Sequence, residues 1–100
     1  MSVYLMLTTL TDAGRKAIQE DPDSLRDINK EVELMGVKIL DQYALLGQYD
    51  FVNILEAPSN EAIAKLAIRL SAGSMYQTLT LAAISIEDLI ETLKQREAPW

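Results

Sequence analysis

VKILDQYALLGQYDFVNILEA, residues 37–57, decides the fold. Two runs rich in strand-forming residues, 37–46 and 49–57, flank Gly47-Gln48. Glycine at the first position of a two-residue connection suits a type II′ hairpin, whose twist matches that of paired strands. This reading puts Tyr49 opposite Leu46, Phe51 opposite Ala44 and Asn53 opposite Gln42 on one side of the ribbon. Asp50, Val52 and Ile54 then share the other side with Leu45, Tyr43 and Asp41.

Working upstream, residues 2–10 form a strand with apolar residues on both alternating sets: Val3, Leu5 and Leu7 on one, Tyr4, Met6 and Leu10 on the other. A strand apolar on both faces belongs in the middle of a sheet. Thr11 caps a predicted helix over 12–20, which Asp21-Pro22-Asp23 interrupts because proline suits only a first helical turn. Leu25, Ile28, Val32 and Met35 then recur at helical spacing, and Gly36 follows as the residue that closes the helix.

Downstream, Pro58-Ser59 opens another helix with Ser59 as its cap and Glu61 in the first turn. Its stripe is Ile63, Leu66, Ala67 and Leu70, and Gly73 ends it. Residues 75–84 form a fourth strand, with Leu79 and Leu81 on one set and Tyr76, Thr78 and Thr80 on the other. Ser85-Ile86-Glu87-Asp88 reads as a cap for a last amphipathic helix carrying Ile86, Leu89, Ile90 and Leu93.

The order is β-α-β-β-α-β followed by α, which predicts an α+β, ferredoxin-like fold. Two right-handed crossovers place the long helices on one face of a four-stranded antiparallel sheet. We expect one domain over 1–96 and a short tail over 97–100, with Trp100 either docking on a neighbouring subunit or hanging free. The other sheet face is left bare, yet neither alternating set is polar. It should pack on a second sheet, making a homodimer or higher homo-oligomer. A hydrophobic share of 49% in 100 residues points the same way, because a small domain cannot bury that much alone.

Nine basic against fifteen acidic residues give a net charge of −6, the wrong sign for gripping nucleic acid or an anionic membrane. With no cysteine and no histidine, the chain has no thiol chemistry, no Cys/His zinc site and no histidine-activated nucleophile. No cofactor and no metal are expected. The first residues lack a basic segment followed by a cleavage site, and no apolar run approaches the roughly 20 residues of a membrane span. The expected location is the cytoplasm.

Leu46-Gly47-Gln48-Tyr49-Asp50-Phe51-Val52, followed by Glu56-Ala57-Pro58, resembles the GYD-domain family, which carries a Gly-x-Tyr-Asp hairpin before an apolar strand. Thr11-Asp12-Ala13-Gly14, Gly73 and Ala82 fit the same pattern. The resemblance implies a dimeric α/β barrel, in which two such sheets pack face to face. It departs at Met75-Tyr76-Gln77, where the family usually has a basic residue, and this argues against an anionic ligand.

Candidate functional residues follow from the polar and aromatic positions. Asp50 is a candidate general base and Tyr49 a candidate proton donor or clamp; against this, such residues commonly serve turns structurally. Tyr4, Tyr43 and Tyr76 are candidate ligand contacts, with packing or interface roles as the alternative. Asp41 and Glu56 are too few for a cation site, and Arg15-Lys16 reads as a solvated helix face. Gly14, unfavourable inside a helix, marks a close approach by a strand or a ligand. The leading functional expectation is a homo-oligomeric binding or interaction protein whose small-molecule ligand, if any, is unidentified. The alternatives are a cofactor-independent enzyme of monooxygenase or isomerase type using a sheet–helix pocket, and a regulatory small-ligand sensor.

Overall fold

A computed structural model describes residues 1–95. Eight elements follow in order: β1 (Ser2–Leu10), α1 (Asp12–Glu20), α2 (Ser24–Leu34), β2 (Lys38–Ala44), β3 (Phe51–Ala57), α3 (Asn60–Ala72), β4 (Tyr76–Ala83) and α4 (Ile86–Lys94). The sheet is antiparallel with strand order β2-β3-β1-β4, the ferredoxin-like arrangement expected from the element order. The expected tail over 97–100, Trp100 included, lies outside the described residues.

Local chemistry fixes where the helices begin and end. Thr11 caps α1 by accepting the Gly14 N–H at 3.1 Å, and Ser59 caps α3 by accepting the Ala62 N–H at 3.2 Å. Ser85 does the same for α4 with Asp88 at 3.0 Å. After α2, Gly36 takes the left-handed conformation (φ +81°). Its N–H reaches the Glu33 carbonyl at 2.9 Å, and the Val37 N–H reaches that of Val32 at 3.4 Å. These are the two bonds of a Schellman closure, and they turn the chain directly into β2.

Gly14 records a close approach by the start of β4. A Cβ there would lie 2.2 Å from the Met75 carbonyl oxygen. The chain is clamped at the same place by the Thr11 N–H, which donates to that oxygen at 3.0 Å.

The hairpin register agrees with the sequence reading: Ala44 pairs with Phe51, Tyr43 with Val52, Gln42 with Asn53 and Asp41 with Ile54. Its turn does not. The ladder stops at Ala44 and Phe51, and residues 45–50 form a wider loop closed by a bond from the Leu45 N–H to the Asp50 carbonyl at 2.8 Å. The physical reason lies on β1. The Asp50 N–H donates to the Thr8 carbonyl at 2.9 Å, and this backbone tie draws the chain towards β1 before a tight two-residue turn can form. Gly47, at φ +117°, still supplies a conformation that other residues avoid. A bulge between Ile39 and Asp41 leaves Leu40 as the extra residue on β2.

The helices cover the face bearing Tyr4, Met6, Thr8 and Leu10. Val32 of α2 and Ile63 and Leu66 of α3 close over Tyr4, Met6, Leu55 and Ala57, with Val37 sealing one end. Burying each large apolar side chain contributes about 1.5–3 kcal/mol. The opposite face has no cover among the described residues. Its cross-strand rows are Asp41–Ile54–Leu5–Leu81 and Tyr43–Val52–Leu7–Leu79, and Leu79 and Leu81 are 44% and 46% exposed.

Candidate functional site

A cavity of about 230 Å³ opens between the covered sheet face and helices α2 and α3. Its floor follows from strand register. One row across the sheet is Gln42–Asn53–Met6–Thr80, and the next is Ala44–Phe51–Thr8–Thr78; the floor uses the β2, β3 and β1 members of each, and not Thr80 or Thr78. Leu25, Ile28 and Val32 of α2 and Leu66 and Leu70 of α3 form the apolar roof, and Tyr76 of β4 closes one end.

Three amides form one network along the β2 side of this cavity. The Asn29 and Gln42 side chains bond reciprocally, Nδ2 to Oε1 at 2.9 Å and Nε2 to Oδ1 at 3.0 Å. Gln42 Nε2 also donates to Asn53 Oδ1 at 2.6 Å. Gln42 is therefore held from two elements, α2 and β3. Asn53 spends only its oxygen on the network.

The two faces of the sheet bring the tyrosines to different places. Tyr4 is buried in the core, with its hydroxyl donating to Asn60 Oδ1 at the start of α3. Tyr76 lines the cavity, and burial pushes its hydroxyl pKa above the usual tyrosine value. Tyr43 lies on the open face, 58% exposed. Tyr49 sits half-buried in the 45–50 loop. Only Tyr76 of the four borders the cavity.

Asp50 also stands apart from the cavity. Its Oδ2 accepts the Leu10 N–H at 2.7 Å and lies 3.9 Å from the Arg15 guanidinium. Arg15 in turn donates to the Leu10 carbonyl at 3.0 Å and to Asp12 at 2.9 Å. The carboxylate thus completes the end of β1, where the ladder to β3 has already stopped at Thr8 and Phe51. Among the described residues no hydrogen bond joins Asp50 to Tyr49. Asp41 lies opposite Ile54, and Glu56 lies opposite Lys38. Among the described residues, no three acidic side chains gather as a metal site would require.

Sequence reasoning missed Asn29, Gln42, Asn53 and Thr8. A signal was available in the hairpin itself. The expected register sets Gln42 and Asn53 opposite each other on the set shared with Ala44 and Phe51, and two facing amides among apolar strand residues ask for partners.

A second feature lies at the other end of the chain. Every residue of α4 is exposed, including its stripe of Ile86, Leu89, Ile90 and Leu93. The molecule is 60 Å in its longest dimension, with a radius of gyration of 16.3 Å against about 13 Å for a compact domain of this length. Among the described residues, no helix is long and apolar enough to cross a membrane.

Comparison with known proteins gives consistent relationships. The family model described as the GYD domain matches residues 4–93. A protein of Thermus thermophilus, the "Glutamine synthetase and cystathionine beta-lyase binding protein", is 39% identical over 95 residues, spanning 94% of this chain and all of that protein. The crystal structure of FFRP-DM1 superposes with a TM-score of 0.52 at 16% identity, covering 84% of this chain and all of the other. That last likeness speaks to the fold alone.

Proposed function

The chain belongs to the GYD-domain family, and on that premise we propose that it is a homo-oligomeric binding protein whose partners are enzymes. The observation that carries this reading is the pair of apolar surfaces that the described residues leave without cover. The open sheet face has a centre of Leu5, Leu7, Val52, Ile54, Leu79 and Leu81, edged by Lys38, Asp41, Glu56 and Gln77. An apolar centre within a polar rim is how protein interfaces are built. A twofold pairing needs a patch that complements itself, and a nearly flat layer of branched aliphatic side chains does so. The stripe on α4 supplies a second contact that one copy cannot satisfy alone.

The relative from Thermus thermophilus is named for binding two enzymes, and it matches this chain along its whole length. A partner of the same kind is the simplest use for surface left over after self-pairing. Catalysis by the chain itself has less support, since Asp50 is engaged by Leu10 and Arg15 rather than poised beside a donor at the cavity.

Two measurements test the reading. Light scattering coupled to gel filtration should give a dimer or larger species, and Leu5→Glu with Leu81→Glu should reduce it to a monomer that keeps its secondary structure. Purified glutamine synthetase and cystathionine β-lyase from the source organism should be retained by immobilised wild-type chain. A wild type that is monomeric at micromolar concentration would refute the self-pairing, and failure to retain either enzyme would refute the choice of partner.

A further inference from the structure

We propose that the cavity between the covered sheet face and α2/α3 is a binding site for a small uncharged molecule, one ring in size, bearing a single hydrogen-bonding group. This goes beyond the enzyme-binding role, which rests on the opposite face of the sheet, so either can fail without the other.

Size sets the first limit. An apolar cavity of about 150 Å³ admits benzene, so 230 Å³ admits a ring with a short substituent. Charge sets the second. No Asp, Glu, Lys or Arg lines the cavity. An ion placed there would give up part of its hydration with no counter-charge to replace it, which disfavours carboxylates, ammonium groups and phosphates.

The polar groups set the third. Thr8 is a 5% exposed residue that lines the cavity, and among the described residues its hydroxyl makes no hydrogen bond. Neither does the Tyr76 hydroxyl, on the neighbouring strand one diagonal position from Thr8. The Asn53 amide keeps its nitrogen free, because only its oxygen enters the network. If all three amides are turned over, the network re-forms and Asn53 keeps its oxygen free instead. Thr8, Tyr76 and Asn53 border one largely apolar space, on strands and not loops, and form a fixed pattern for a ligand's single polar group.

The experiment uses the full wild-type chain, ¹⁵N- and methyl-labelled, titrated with benzamide, benzyl alcohol, benzoate and benzylammonium. Benzamide and benzyl alcohol should move the side-chain amide signals of Asn53 and Gln42 and the methyl signals of Leu66 and Leu70. Benzoate and benzylammonium should bind at least about tenfold more weakly, as expected for an ion without a counter-charge. In Asn53→Leu, benzamide should weaken about tenfold, the equivalent of roughly one hydrogen bond, while toluene should bind as it does to wild type. If the loss of the amide network prevents folding of that variant, Thr8→Val makes the same comparison, since its hydroxyl holds nothing in the structure. The proposal is overturned if the charged analogues bind as well as the neutral ones. It is equally overturned if no neutral probe binds at millimolar concentration, or if the shifts fall on the open face or α4.

Discussion

In its two central rows this sheet carries more polar side chains under the helices than on its open face. Under the helices, the two central rows bear Gln42, Asn53, Thr8, Thr78 and Thr80 beside Met6, Ala44 and Phe51; on the open side, the matching rows bear Ile54, Leu5, Leu81, Val52, Leu7 and Leu79 beside Asp41 and Tyr43. A one-sided antiparallel sheet ordinarily alternates apolar inside with polar outside. The inversion ties the two proposals to one pattern. An apolar outer face calls for another surface to cover it, and inner rows that mix polar with apolar side chains suit helices that do not pack them solid.

The largest test of this comparison uses neighbours on one strand. Met6 is 1% exposed under the helices, whereas Leu5, one residue away, points to the open face. Met6→Ala should lower the unfolding free energy by about 2–5 kcal/mol, measured by urea denaturation. Leu5→Ala should weaken the self-association instead, so that its denaturation midpoint depends on protein concentration more steeply than that of wild type. Equal, concentration-independent losses at both positions would erase the distinction between the faces.

A smaller effect is expected where β1 runs out of partners. The Leu10 N–H has Asp50 Oδ2 in place of a strand carbonyl. Asp50→Ala should destabilise by about 1–3 kcal/mol, the range for a buried donor left unmade. Little of that belongs to Arg15, whose side chain is half exposed and 3.9 Å away. Asp50→Asn, which keeps an oxygen for the same N–H, should recover much of the loss. A general base would give the opposite pattern, with stability unchanged and an activity abolished.

How much of this is legible in the chain differs between the faces. Strand order, hairpin register, the caps at Thr11, Ser59 and Ser85 and the closure at Gly36 are local or pairwise consequences of residue type, and they can be read directly. The two alternating sets of β1 can also be read, but not which set meets the helices. Both are apolar, and the choice depends on how α2 and α3 land. The turn at residues 45–50 escapes such a reading because the Asp50 N–H bonds to Thr8, distant in sequence. The amide network is hidden for a similar reason: Asn29 lies on α2, and nothing in its own segment points to Gln42. Gly14 announces a close contact, but only the packed chain shows Met75 as the other party.

Thr80 offers a still smaller test on the inner face. Its hydroxyl is fully enclosed and has no partner among the described residues. Thr80→Val replaces it with a methyl group of the same shape, removing an unmet polar group while keeping the packing. Stability should rise by up to about 1 kcal/mol. A loss of that size would mean that the hydroxyl is satisfied in solution and that this part of the inner face is better matched than its geometry indicates.

The last and smallest effect concerns Tyr76, at the cavity's end. Its pKa is raised in the folded chain because burial disfavours the phenolate. A raised folded-state pKa means that the unfolded chain gives up this proton first. The contribution to stability is therefore complete below the unfolded value of about 10 and declines as pH rises from there through the higher folded value. Tyr4, Tyr43 and Tyr49 are also present in the chain, so the useful quantity is a difference. Between about pH 9 and pH 11, wild type should lose slightly more stability than Tyr76→Phe, with the gap opening only above about pH 10. Adding benzamide should widen that gap if the neutral hydroxyl contributes to holding it, because the ligand then favours the protonated form further. A gap that ignores the ligand would place the Tyr76 hydroxyl outside the set of groups that contact it, leaving Thr8 and Asn53 to fix its orientation.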